Sequence, residues 1–158
     1  MSRVRQVAMP PAARALNTLA HVDYEDAFLV QTGATRERTP EQWARAALEG
    51  APIALRRALR SGWFALGVQL GSTRSDRLVL GWEVRRSTPE VALLAARSRL
   101  GFVGELLFKS RQRALLYATF VQMESPIARA VWAGIARGHR QVVRYVLEQA
   151  ATRNAGRR

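Results

Sequence analysis

The side chains in this 158-residue sequence that are fit for chemistry are few, and His139 leads them. Read as helix, its surroundings place the imidazole in one stripe with Trp132, Ile135, Val142 and Val143. There it can donate to a ligand carbonyl or exchange a proton near neutral pH. The competing reading is a core histidine bonded to a backbone carbonyl. Tyr117 and Thr119 are polar handles on an otherwise apolar alternation, so they either line a cavity or lie within the core. Arg97 alternates with Val91, Leu93 and Ala95; facing a cavity it would hold a carboxylate or enolate, and facing out it is one more surface arginine. Trp63, Trp82 and Trp132 fit a core or a ligand platform. The run Asp23, Glu25, Asp26 is the one acidic cluster, and on a strand Asp26 points away from the other two. It reads more simply as a solvated strand start than as a cation site.

Other chemistries find no motif. There is no cysteine, so disulfides and thiolate chemistry are excluded. His21 and His139 are the only histidines, too few for a histidine-based metal site. No serine sits in a nucleophile elbow, and neither a phosphate-cradling loop nor a dinucleotide fingerprint is present. Gly101 and Gly104 have the bare spacing of a phosphate-clamping loop, but strand-like flanks argue against it. Neither metal nor cofactor is expected.

Five kinds of element must position these residues. Residues 1–20, rich in Arg, Ala and Pro, read as a partly flexible N-terminal extension, with helix allowed from Ala12 to Leu19. A first strand runs from about Val22 to Thr32, followed by a loop over Gly33 to Arg38. Thr39, Pro40 and Gln42 carry a capping-box helix start that stops at Gly50. Pro52 opens a second helix that Gly62 interrupts or ends, and Gly67 to Asp76 is a loose connection. Alternation then predicts antiparallel strands over Leu78–Arg85, Val91–Ser98, Leu106–Arg111 and Leu115–Met123, with a hairpin tip at Arg111–Arg113. Several strands are apolar on both faces, so both faces are covered or one meets a second subunit; a homodimer fits the latter. Ser125 and Pro126 start a long amphipathic helix, with Ile127, Ala128, Val131, Val142 and Val146 also on its apolar arc. It runs to about Ala151, and residues 152–158 read as a basic polar tail.

At this length, 48% hydrophobic and 23% charged, the chain is globular and most simply one domain over residues 21–151. No apolar run is long enough to cross a bilayer, and Met9, Pro10, Pro11 and Arg14 break up any leader, which places the protein in the cytoplasm. The net charge of +13 invites a nucleic-acid reading. Yet 24 of the 25 basic residues are arginine, with Lys109 the exception, and alanine is abundant, as a GC-rich coding sequence produces without a partner. No specific nucleic acid is expected; weak binding to anionic surfaces at low salt follows from charge alone.

Asp23-Tyr24-Glu25-Asp26-Ala27-Phe28, Leu80-Gly81-Trp82, Ala118-Thr119-Phe120-Val121 and the run from Arg129 through Trp132 to His139, taken in this order of elements, resemble a bacterial branch of the START-like (SRPBCC, helix-grip) superfamily. The likeness spans roughly residues 21–150. It implies an α+β helix-grip fold, with a curved antiparallel sheet around the C-terminal helix and two short helices after the first strand. A further strand is then expected within Phe64 to Ser72. It also implies an apolar cavity between sheet and helix. Members of the superfamily bind lipids, sterols or polyketides, and some are cyclases or hydratases. No catalytic set is common to them, so none is carried over. The expected function is binding of a small hydrophobic ligand among His139, Trp132, Tyr117, Thr119, Trp82, Trp63 and Arg97. The alternatives are a cyclase-like enzyme using His139 or Tyr117 as acid–base group, and a basic module for nucleic acid or anionic membrane.

Overall fold

A computed structural model describes residues 3–33, 38–72 and 75–156. The chain is α+β. Its strands β1 (Val4–Val7), β2 (Tyr24–Gln31), β3 (Leu78–Val79), β4 (Trp82–Ser87), β5 (Val91–Arg97), β6 (Phe102–Arg111) and β7 (Ala114–Met123) form one open antiparallel sheet. The order across it is β1-β2-β7-β6-β5-β4-β3. Helices α1 (Pro11–Arg14), α2 (Pro40–Leu48), α3 (Ile53–Ala65) and α4 (Pro126–Ala155) complete the fold. This is a helix-grip arrangement, with the long α4 held against one face of the sheet.

Local chemistry explains the element ends. Thr39 accepts from the Gln42 backbone N–H at 3.2 Å and Gln42 Oε1 accepts from the Thr39 N–H at 2.8 Å, closing a capping box around Pro40. Ser125 Oγ accepts from Ala128 N–H at 3.0 Å and starts α4, which at 30 residues is about 45 Å long. Leu80 and Gly81 both have positive φ, +49° and +93°, and turn the chain between β3 and β4. The stretch 78–85 is therefore a tight hairpin and not the single strand its alternation suggests. Gly81 is obligatory there, because a Cβ would lie 2.8 Å from Leu70 Cβ.

Both sheet faces are covered by the chain itself. On the concave face Phe28, Leu94, Leu106, Phe108 and Leu115 pack against Val143, Val146, Leu147 and Ala150 of α4 and Trp43, Ala44 and Ala47 of α2. On the convex face Leu93, Leu107, Leu116 and Phe120 are covered by Met9, Ala13, Leu16, Leu19 and Val22. The fully buried Glu105 anchors that cover, accepting from the Thr18 N–H at 2.8 Å and from the Thr18 hydroxyl. Residues read from sequence as an extension thus supply an edge strand, a short helix and one layer of core. The two-faced apolar strands need no second subunit to bury them.

Other boundaries shift as well. Helix α3 continues past Gly62 to Ala65, and within 64–72 there is only an isolated bridge, Val68 to Ser98, where a strand was expected. Helix α4 runs on to Ala155, with Asn154 buried and Arg153 Nη2 donating to Ala46 O at 2.9 Å, so residues 152–155 are not tail. Residues 34–37 of the expected loop, 73–74 of the connection, and Arg157 and Arg158 lie outside the described residues. The described part of α4 matches the expected stripe only partly: Ile127 is 64% and Val142 45% exposed, while Leu147, Ala150 and Ala151 are buried. Between Trp132 and Val143 no residue of α4 is fully buried. The helix packs closely through its two ends; between them it reaches the sheet through His139 and otherwise overhangs a void.

Candidate functional site

That void is a cavity of about 880 Å³ between the concave face, α2, α3 and α4, within the size range of small-molecule sites. Its floor comes from alternate residues of β6 and β7: Phe102, Gly104, Leu106 and Phe108, with Tyr117, Thr119 and Val121. These share a face because side chains of a strand alternate. Gly104 leaves room for the ring of Trp82, which a Cβ there would meet at 3.2 Å. The opening lies between α3, where Ala58, Gly62 and Ala65 are exposed, and α4, where Gly134, Gly138, Gln141 and Val142 are exposed.

One end of the cavity is polar, and the sheet register assembles it. Asp26 of β2 pairs with Thr119 of β7, and His139 of α4 descends onto both. His139 Nε2 lies 3.2 Å from Asp26 Oδ2 and 3.3 Å from Thr119 Oγ1. A carboxylate oxygen accepts, so Nε2 carries the proton and donates to Asp26. Thr119 Oγ1 in turn donates to the Tyr117 hydroxyl at 2.9 Å. Tyr24 donates to the same Asp26 oxygen at 2.6 Å and accepts from Arg140 Nη1 at 3.4 Å. Asp26 is only 4% exposed, and its Oδ1 is buried with no hydrogen-bond partner among the described residues. The rings of Tyr24, Trp132 and His139 close around this group, with Trp132 centred 4.9 Å from Tyr24 and 5.1 Å from His139. Burial pushes the Tyr117 and Tyr24 phenols well above their ordinary range, and the Asp26 carboxylate adds to it for Tyr24. Both hydroxyls therefore remain protonated donors at neutral pH and are unsuited to act as phenolate bases.

Six of the seven residues singled out from sequence, namely His139, Trp132, Tyr117, Thr119, Trp82 and Trp63, line this one cavity. Arg97 does not. It belongs to the convex parity of β5, its side chain is 61% exposed, and it pairs with Glu124 at 3.2 Å. The acidic run splits three ways. Glu25 pairs with Arg14, and Asp23 accepts from the Met123 N–H at 2.7 Å and lies 2.8 Å from His21 Nδ1; Asp26 turns inward. The Met123 bond, helped by His21 and Arg129, holds the Asp23 carboxyl below its usual range. Tyr24 and Asp26 are the site residues that sequence reasoning missed. Their signal was parity: Tyr24, Asp26, Phe28 and Val30 alternate on one side, so the carboxylate shares the apolar face.

Sheet, helix and cavity together define an α+β helix-grip protein with an internal apolar chamber. Comparison with protein-family models, curated proteins and solved structures finds no significant match to this chain.

Proposed function

We propose that this protein binds a small hydrophobic molecule, of lipid or polyketide-like size, in the chamber under α4, and that it is a START-like protein acting in the cytoplasm. The observation that carries this reading is the chamber itself: about 880 Å³, walled by aliphatic and aromatic side chains, with one polar corner at His139, Thr119 and Tyr117. Binding would be driven by burial of apolar ligand surface, with the polar corner fixing orientation. No helix among the described residues is long and apolar enough to cross a membrane.

Native mass spectrometry of the protein purified from its own host tests the reading. A recurring apolar adduct, released on denaturation and identified, supports it. Preparations that stay empty and take up no hydrophobic dye argue against it. The same spectra report the subunit number.

A second reading is favoured by the Asp26–His139 contact. A carboxylate behind an imidazole is a common way to orient an acid–base group, so cyclase- or hydratase-like catalysis is the alternative. Turnover of the identified ligand that falls by orders of magnitude in His139→Gln, with affinity little changed, would favour the enzyme. Comparable affinity loss with no turnover in either form would favour the carrier. Binding to nucleic acid or anionic vesicles that collapses with salt and ignores His139→Gln would instead point to the basic surface.

A further inference from the structure

The large hydrophobic side chains that stand exposed among the described residues are Ile53, Phe64, Ile127, Val142 and Tyr145, and every one of them lies on α3 or α4. These are the helices that border the opening of the chamber. Phe64 is 82% exposed and adjoins Trp63 and Ala65 of the chamber lining, while Val142 and Tyr145 are exposed lining residues at the rim itself. The same two helices carry charge of one sign. Helix α3 has Arg56, Arg57 and Arg60 and no carboxylate; α4 has Arg129, Arg137, Arg140 and Arg144 and no carboxylate before Glu148. Elsewhere acidic residues stand among the arginines, as Glu25 beside Arg14, Glu41 and Glu49 beside Arg45, and Glu124 beside Arg97. Arg57, Arg137 and Arg144 are exposed and form no ion pair among the described residues. Helical spacing puts Arg57 and Phe64 on one side of α3, and Arg137 and Arg144 on one side of α4 next to Gln141 and Tyr145. Single exposed apolar residues need no explanation, but a set confined to one pair of helices and set among unpaired cations marks an interaction surface.

We infer that the outer face of α3 and α4 docks on an anionic phospholipid bilayer, with Phe64, Val142 and Tyr145 entering the headgroup boundary and Arg57, Arg137 and Arg144 meeting lipid phosphates. Apolar side chains that enter the boundary, beside arginines attracted to anionic headgroups, are what hold helices in a membrane interface. A second copy of the chain would set arginine against arginine. A nucleic acid would satisfy the arginines and leave Ile53 and Val142 uncovered. The chamber then opens onto the bilayer, and only that consequence rests on reading the chamber as a ligand site.

Co-sedimentation of the full chain with vesicles tests the inference. One set holds phosphatidylglycerol and phosphatidylcholine in equal parts, the other phosphatidylcholine alone, both at about 0.1 M salt. The expected result is binding to the first set and little to the second. Phe64→Ser leaves the charge unchanged at an exposed position, so it should keep the unfolding temperature and lower binding about tenfold. The triple variant Arg57→Gln, Arg137→Gln, Arg144→Gln should lower it about 100-fold, at about fivefold per arginine. A second triple, Arg5→Gln, Arg86→Gln, Arg111→Gln, removes the same charge from exposed positions on β1, β4 and β6. It should change binding by less than about threefold, because those groups lie off the docked face and are screened. Equal losses in the two triples, or unchanged binding in Phe64→Ser, would show a general attraction of the charged chain and overturn the inference. Equal binding to both vesicle sets overturns it as well. So does absence of vesicle binding, and the face then belongs to another occupant: a second copy if Phe64→Ser abolishes self-association in sedimentation, or a nucleic acid if a short DNA duplex binds. Each of these outcomes leaves the chamber reading to the mass spectra, which are recorded without lipid vesicles.

Discussion

His139 is tied to the sheet by the one nitrogen that reaches it, and its loss should cost more than a packing defect. In His139→Ala the buried Asp26 carboxylate keeps only the Tyr24 hydroxyl as donor. Removing one partner of a buried pair typically costs about 3–5 kcal/mol. The residual Tyr24 bond and the partial exposure of the imidazole place the expected loss below that range, at about 2–3 kcal/mol. His139→Gln, which can still donate, should lose about half of that, and urea denaturation of the three proteins checks the order. Asp23 contributes differently, through pH. Its folded pKa lies below the unfolded value because the Met123 N–H donates to the carboxylate. A depressed acid stabilises the fold above its unfolded pKa, near pH 4, and that stability is lost as pH falls through the folded pKa. Asp23→Asn should therefore be less stable than the parent at pH 6 and converge with it by about pH 2, as urea midpoints across that range would show.

At the scale of elements, the two helices bordering the opening are the least committed parts of the fold. Helix α3 fully buries only Leu59 along its 13 residues, and the first half of α4 overhangs the chamber. Glycines concentrate here: a Cβ added at Gly62, Gly134 or Gly138 meets nothing within 4 Å. Replacing a helical glycine by alanine in open space gains roughly 0.5–1 kcal/mol. Gly134→Ala with Gly138→Ala should thus raise stability while narrowing the opening. The expected outcome is a higher unfolding temperature with slower ligand entry, read by calorimetry and stopped-flow fluorescence. Gly81→Ala is the opposite case. Positive φ and the 2.8 Å approach to Leu70 should make it destabilising by more than about 1 kcal/mol. Sequence alternation saw one strand across this turn because Leu80 is apolar and in phase. Its left-handed backbone is a property of the hairpin, and a leucine does not announce it.

For the whole molecule, the N-terminal segment is the feature with the largest consequence. Residues 4–22 add an edge strand beside β2 and roof the convex face through Met9, Leu16 and Leu19, with Thr18 satisfying the buried Glu105. A chain lacking residues 1–20 should expose that face and leave a buried carboxylate without its donors. Aggregation or a self-associated form in light scattering, against a dispersed full-length protein, is the expected result. Sequence reasoning discounted the segment because Pro10, Pro11 and scattered arginines show neither period; the segment works as a cover, and a cover needs only a few apolar residues at irregular intervals.

What the sequence by itself determined is what local physics writes plainly. The capping residues at Thr39 and Ser125, the 3.6-residue period of α4, the strand alternations from Val91 onward and the hairpin tip after Arg111 all follow from short-range sterics and hydrogen bonding. Those suffice for an α+β chain with a long closing helix and for most of the chamber's aromatic wall. Tertiary structure decided the rest. The pairing of β2 with β7, residues nearly a hundred positions apart, sets Asp26 beside Thr119 and under His139. It also turned Arg97 outward, although its alternation class was legible, because which parity faces the helix depends on the side to which α4 returns. Relations of that kind arise from long-range register and from burial on both faces of one sheet, and no local period encodes them.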